Sequence, residues 1–162
     1  MKKIATRTRT KNTTDTWLTP KYITDTLGPF DLDPCTEMTR PWDTANQYFT
    51  IHDDGLNQPW KGFIWCNPPY GNQTQHWLSK LSEHNNGIAL IFARTETKMF
   101  FEHVWPKAKA ILFIKGRIKF HYPDGEEAKG NCGASSVLIA YGDLAVRRLE
   151  EANVKGKLIY IN

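Results

Sequence analysis

Gly62-Phe63-Ile64-Trp65-Cys66 is a nearly continuous apolar run that stops abruptly at Asn67-Pro68-Pro69-Tyr70-Gly71. Apolar residues without polar alternation fit a strand covered on both faces, the situation of a parallel sheet flanked by helices. The neighbouring segments agree. Strands are expected over 30–33, where Pro34 ends the run, over 47–51, ending near Asp53-Asp54-Gly55, and over 88–93. Between them, Trp77, Leu78 and Leu81 recur at helical spacing over 74–84, before the stop signal Asn85-Asn86-Gly87. Further helices are expected over 21–27, with Pro20 at the first position and Gly28-Pro29 beyond the end, over 98–104, and over 144–152 with Asp143 as cap. Strands are expected over 110–114 with an extension to Phe120, over 136–141 and over 157–161, and 122–133 reads as a polar loop. Strands alternating with helices imply an α/β fold, a doubly wound and mostly parallel sheet, with ligands at the carboxyl ends of the strands.

A length of 162 residues suits one domain with one core, and 40% hydrophobic against 23% charged residues excludes disorder over the full length. No apolar run reaches the roughly 18–20 residues that span a bilayer, and polar residues follow Met1-Lys2-Lys3-Ile4-Ala5-Thr6 where a signal peptide is apolar. A cytoplasmic location is therefore expected. Cys35, Cys66 and Cys132 form no C-x-x-C pair and read as reduced thiols rather than a disulfide framework or zinc ribbon. Cys66 reads as core.

The net charge of +4 is too small to imply nucleic-acid binding by itself, so its placement matters more. Lys2, Lys3, Arg7, Arg9 and Lys11 all precede the first acid, Asp15, which divides the chain into a flexible basic tail over 1–14 and a single domain over 15–162. Lys115, Arg117 and Lys119 alternate with Ile114, Gly116, Ile118 and Phe120, so a strand there sets three cations on one face. Both clusters suit the phosphates of a polyanion without identifying one; a solubilising tail and a solvated sheet face are the alternatives. The five histidines, His52, His76, His84, His103 and His121, follow no ligand spacing, and no metal site is expected.

Asn67-Pro68-Pro69-Tyr70 follows the buried strand and precedes a helix. A planar amino group on an aromatic or amide system is poorly nucleophilic because its lone pair is delocalised. An Asn side-chain oxygen and a backbone carbonyl aimed by proline can both accept hydrogen bonds from such a group and localise the pair as it attacks a methyl sulfonium. Tyr70 offers a π surface for a base taken out of the duplex, worth roughly 1–3 kcal/mol. A strand break capped by an aromatic is the plainer alternative.

With these residues in place, the chain resembles the phage-type DNA N-6-adenine-methyltransferases that use S-adenosylmethionine. The resemblance runs from about Trp17 to Tyr141, through Thr19-Pro20, Phe30-Asp31-Leu32-Asp33, Tyr48-Phe49-Thr50, Asp54-Gly55-Leu56 with Trp60, Asn67-Pro68-Pro69-Tyr70-Gly71, Ala93-Arg94-Thr95-Glu96-Thr97 and Gly116-Arg117-Ile118-Lys119-Phe120. It implies a Rossmann-like methyltransferase sheet without a separate target-recognition domain, S-adenosylmethionine as cofactor and double-stranded DNA as partner. It further implies that Asn67, Pro68, Pro69 and Tyr70 bind and activate the target adenine. Thr19, Pro20, Asp33, Pro34 and Asp54 become the implied cofactor contacts, Thr19 toward the methionine end and Asp54 toward the adenine amino group. Arg94 and Arg117 lie in matching segments without an assigned role. The segment Asp33-Pro34-Cys35-Thr36-Glu37 lacks the glycine turn of many larger methyltransferases, and the connection from Pro34 to Gln47 is short for a full crossover helix. Two other activities remain open at this stage: amino-group methylation of RNA or of a protein glutamine, and a catalytically silent DNA-binding module.

Overall fold

A computed structural model describes residues 17–130 and 133–162. The basic segment over 1–14 and Cys132 lie outside the described residues. In chain order the elements are α1 (Lys21–Leu27), β1 (Leu32–Asp33), β2 (Gln47–Tyr48), β3 (Ile64–Cys66), α2 (Thr74–His84), β4 (Gly87–Phe92), α3 (Lys98–His103), β5 (Ala110–Ile114), β6 (Ser136–Tyr141), α4 (Asp143–Glu151) and β7 (Gly156–Tyr160), with a short 3-10 turn at Gly55–Asn57 between β2 and β3.

The fold is α/β, with a single seven-stranded sheet in the order β2-β1-β3-β4-β6-β5-β7. From β2 to β4 every pairing is parallel. From β4 outward every pairing is antiparallel, so the expectation of a mostly parallel sheet holds for one half only. Connections explain the split. No helix stands in the described residues between β5 and β6, and without a crossover the chain returns beside the strand it has just left.

Side chains alternate between the two faces of the central strands. Ile64, Cys66, Ala89, Ile91, Ile111, Val137, Ile139 and Tyr141 pack with Trp77, Leu78 and Leu81 of α2 and Phe100 of α3. Trp65, Ile88, Leu90, Ala110, Leu112, Leu138 and Ala140 pack on the opposite face with Ile23 and Leu27 of α1 and Ala145 and Leu149 of α4. The sheet is therefore covered on both sides, which is why β3 and β6 are buried along their whole length.

Three expectations are corrected. β5 ends at Ile114, because Gly116 takes φ +81° and turns the chain out of the ladder. Pro20 occupies the cap position of α1 rather than its first turn, and Gly142, not Asp143, caps α4. The Asp143 carboxylate instead accepts a hydrogen bond from Lys109.

Candidate active site

Asp33, Asn67 and Phe92 stand at or just beyond the carboxyl ends of β1, β3 and β4, and parallel pairing brings these ends to one edge of the sheet. The segment 17–19 crosses this edge, anchored by reciprocal backbone hydrogen bonds of 2.9 Å between Leu18 and His121.

Asn67 is the best-defined side chain there. Its Nδ2 donates to Thr19 Oγ1 at 3.1 Å and to the Trp17 carbonyl oxygen at 3.5 Å. A backbone carbonyl can only accept, so this contact sets the amide with its NH2 end toward Trp17 and Thr19. Among the described residues Asn67 Oδ1 is then left buried without a hydrogen bond. Such an orphaned acceptor is costly, on the order of 1–3 kcal/mol, and calls for a donor. Pro68 is buried, whereas Pro69 is exposed and its carbonyl accepts from Thr74 Oγ1 at 2.6 Å at the start of α2. Tyr70 stacks on Phe92 at 4.4 Å between centroids and 8° between planes. One face of its ring is thus already occupied by a protein ring, which sequence reasoning did not foresee.

Asp33 is buried, with its Oδ1 accepting from the Cys35 backbone N–H at 3.2 Å and its Oδ2 from the Thr44 hydroxyl. Burial pushes its pKa up to about 6, although these hydrogen bonds and the Arg40 charge act in the opposite direction. Arg40 also braces the helix-free connection between β1 and β2: it donates to Asp43 and to the Glu37 carbonyl, both at 3.0 Å, and lies 3.7 Å from the centroid of the Tyr48 ring.

The loop that carries Asp54 is held equally firmly. Lys80 of α2 donates to the carbonyls of Leu56 and Gln58 at 2.6 and 2.5 Å, and Trp60 Nε1 donates to the Gly55 carbonyl at 2.8 Å. A Cβ on Gly55 would lie 2.0 Å from the Pro34 carbonyl oxygen, so only glycine allows these two loops to meet. Asp53 closes the loop by accepting from the Thr50 N–H and hydroxyl at 2.7 and 2.8 Å, which lowers its pKa. Asp54, in left-handed backbone at φ 51°, accepts from Asn57 Nδ2 at 2.6 Å.

These residues line adjoining spaces. A small cavity of about 40 Å³ holds Thr19, Asp33 and Asn67 in its wall, and a groove of about 460 Å³ is lined by Pro34, Asp54, Pro69, Met38, Ile51 and Trp77. Cys35, Thr36 and Glu37 belong to both. A third cavity of about 240 Å³ is bounded by Trp17, Tyr70, Phe92 and Phe120.

A family model for DNA N-6-adenine-methyltransferase (Dam) matches residues 6–157, nearly the whole chain. The chain belongs to the Dam family. It is accordingly an enzyme, a DNA methyltransferase acting on adenine, and membership implies a methyl donor and DNA as substrate. No curated protein and no solved structure matches the chain.

In this Dam-family fold the expected residues divide into two groups. Thr19, Asp33, Pro34, Asp54, Asn67, Pro69 and Tyr70 line the cavities at the strand ends, while Pro20 and Pro68 are buried beside them. Lys115, Arg117 and Lys119 are exposed but line none of the cavities described, and Lys119 pairs with Glu127 at 3.4 Å. The alternation breaks directly after β5, where Lys115, Gly116 and Arg117 are all exposed, and returns only with buried Ile118 and Phe120 on either side of Lys119; no strand presents the cations together. Sequence reasoning missed Thr44, Arg40, Phe92 and the proximity of Cys35 and Cys66, whose sulfurs lie 3.9 Å apart. The hydrogen bond to Cys66, then burial, pushes the Cys35 thiol well above its ordinary pKa, keeping it protonated. Among the described residues no group of three or more His, Cys, Asp or Glu is placed to hold a metal ion, and no helix is long and apolar enough to cross a membrane.

Proposed function

We propose that the chain transfers a methyl group from S-adenosylmethionine to N6 of an adenine extruded from double-stranded DNA, on a doubly wound, Rossmann-like sheet. The observation that carries this reading is the buried, orphaned Oδ1 of Asn67, with its amide pinned from behind by Thr19 and Trp17. An acceptor held in this way meets an incoming amino group without reorganising, which is the condition for electrostatic stabilisation of the transition state. The Pro68 carbonyl is the second acceptor, and Tyr70, backed by Phe92, is the surface on which the adenine stacks. Pro69 takes a supporting part, because its carbonyl is engaged by Thr74.

S-adenosylmethionine, when bound, supplies an electrophilic methyl group on a sulfonium. The donor set suits that molecule. Asp33 offers a buried carboxylate to its cationic end, Asp54 an acceptor to its adenine amino group, and Ile51 and Trp77 an apolar bed for the ring. Ile51 is 85% exposed, an unusual state for an isoleucine and one that a bound ring would relieve. Thr19 acts on the reaction through Asn67 rather than on the cofactor. Lys115, Arg117 and Lys119 are read as contacts to the DNA backbone, and the basic segment over 1–14 as a further one.

Incubation with methyl-labelled S-adenosylmethionine and, separately, duplex DNA, RNA and a protein extract tests the reading by nucleoside and amino-acid analysis. N6-methyladenine from the duplex alone is expected; label confined to RNA or to glutamine would overturn it. The cofactor assignment has its own check in calorimetric titration. Asp54→Ala should lose about 1.5–3 kcal/mol of donor binding, at least about tenfold in affinity, while Asp53→Ala loses less because Asp53 closes its own loop. Equal affinities for Asp54→Ala and the parent place the donor elsewhere.

A further inference from the structure

The stacked pair Tyr70–Phe92 is a wall common to two cavities, the 240 Å³ one that a base stacking on Tyr70 would enter and another of about 410 Å³ that the proposed reaction leaves unused. Ile91, Phe92 and Met99 give the second cavity an apolar lining, and Asn72, Gln75 and Arg94 bring polar side chains to it. Arg94 sits two residues beyond β4 on a firmly held backbone. Its N–H donates to the Phe92 carbonyl at 2.8 Å, and its own carbonyl accepts from the Thr97 N–H at 3.1 Å and the Thr97 hydroxyl at 2.7 Å. Its guanidinium forms no hydrogen bond or ion pair among the described residues, and neither do the carboxamides of Asn72 and Gln75.

A fixed backbone carrying a free guanidinium is a donor fork placed before its ligand arrives. A phosphate needs the cation but not the apolar lining; a base needs both, stacking or packing through its faces and hydrogen bonding through its edge. Arginine pairs bidentately with O6 and N7 of guanine, the commonest side-chain contact that specifies a base. Because the Tyr70–Phe92 pair lines both cavities, the second lies directly beside the first, within reach of a base neighbouring one held there. We infer that this cavity receives a base neighbouring the target adenine and that Arg94 reads it as guanine. The inference rests on the assignment of Tyr70 and Asn67 to the adenine site and adds a specificity-determining contact to it.

A random-sequence duplex library methylated by the parent, Arg94→Ala and Arg94→Lys, with the position of each N6-methyladenine and its flanking bases read by sequencing, tests the inference. The parent should favour guanine at one position next to the methylated adenine. In Arg94→Ala that preference should fall by about tenfold to a hundredfold, the discrimination of a bidentate base contact, while preferences elsewhere persist. Arg94→Lys should fall short of the parent at the same position, because a point charge does not reproduce the fork. An unchanged preference profile overturns the inference. So does a uniform loss at all positions with a salt slope lower by about 0.9, the mark of a phosphate contact. Far-ultraviolet spectra and melting temperatures equal to the parent's keep these outcomes separate from misfolding, which an exposed side chain without partners does not provoke. If the parent methylates no adenine at all, the reading of the site fails and takes this inference with it.

Discussion

Asn67→Ala should lower kcat by about 10²–10³-fold, the loss measured when one preorganised acceptor or donor is taken from a transition state, while donor affinity stays close to the parent's. The substitution removes the Oδ1 acceptor together with two hydrogen bonds, to Thr19 and Trp17. Thr19→Val separates the two effects. It leaves Oδ1 in place and deletes one of the bonds that aim it, so kcat should fall by about tenfold or less, the worth of a single neutral hydrogen bond. Single-turnover methylation of a duplex, with melting temperatures as the check on folding, measures both variants. Near-parent turnover in a folded Asn67→Ala protein would remove Asn67 from the chemistry.

How much of this was legible beforehand depends on the range of the interactions involved. The helix over 74–84 and the strand over 136–141 come out as expected, because local signals decide them: the spacing of Trp77, Leu78 and Leu81, a left-handed Asn85 at φ 55° as stop, and an unbroken apolar run in β6. Asn67-Pro68-Pro69-Tyr70 stood out because its chemistry is carried by adjacent residues at the end of one strand. The overestimate of β5 has a local cause. The residue types alternate past Ile114 as they do in a strand, but Gly116 turns the backbone and stands exposed with Lys115 and Arg117, and burial alternates again only at Ile118 and Phe120. The insertion of β6 between β4 and β5 has no local signal, since it is fixed by which apolar faces meet. The same holds for the contact of Cys35 with Cys66 and for the bond from Thr44 to Asp33, each joining residues whose separation carries no pattern. Arg40 escaped notice for a related reason. It replaces the missing crossover helix by bracing a loop, a task many sequences fulfil in different ways.

Asp33 carries the second large expectation, in which stability and donor binding oppose each other. Its pKa lies near 3.8 in the unfolded chain and about 6 in the folded one, chiefly because burial disfavours the carboxylate. The folded state therefore holds a proton that the unfolded state has released across that interval, and stability falls as pH rises from about 4 to about 6, by about 3 kcal/mol in all. Above pH 6 the deficit is constant. Asparagine at this position accepts from the Cys35 N–H as before, and the Thr44 hydroxyl can turn to accept from the new amide, so no polar atom is stranded. Asp33→Asn should accordingly flatten the stability profile between pH 4 and 6 and leave the variant up to about 3 kcal/mol more stable than the parent at pH 7, as measured by denaturant unfolding at each pH. Donor binding should move the other way: affinity in the parent rises from pH 5 to pH 7 as Asp33 ionises against a cationic ligand, while in Asp33→Asn it is lower and flat. Parallel stability profiles for the two proteins would show that Asp33 is not titrating in this range, and an affinity that ignores pH in the parent would take the cation away from Asp33. If both shifts occur together, the buried carboxylate is retained at the expense of stability for the charge it offers at the strand ends.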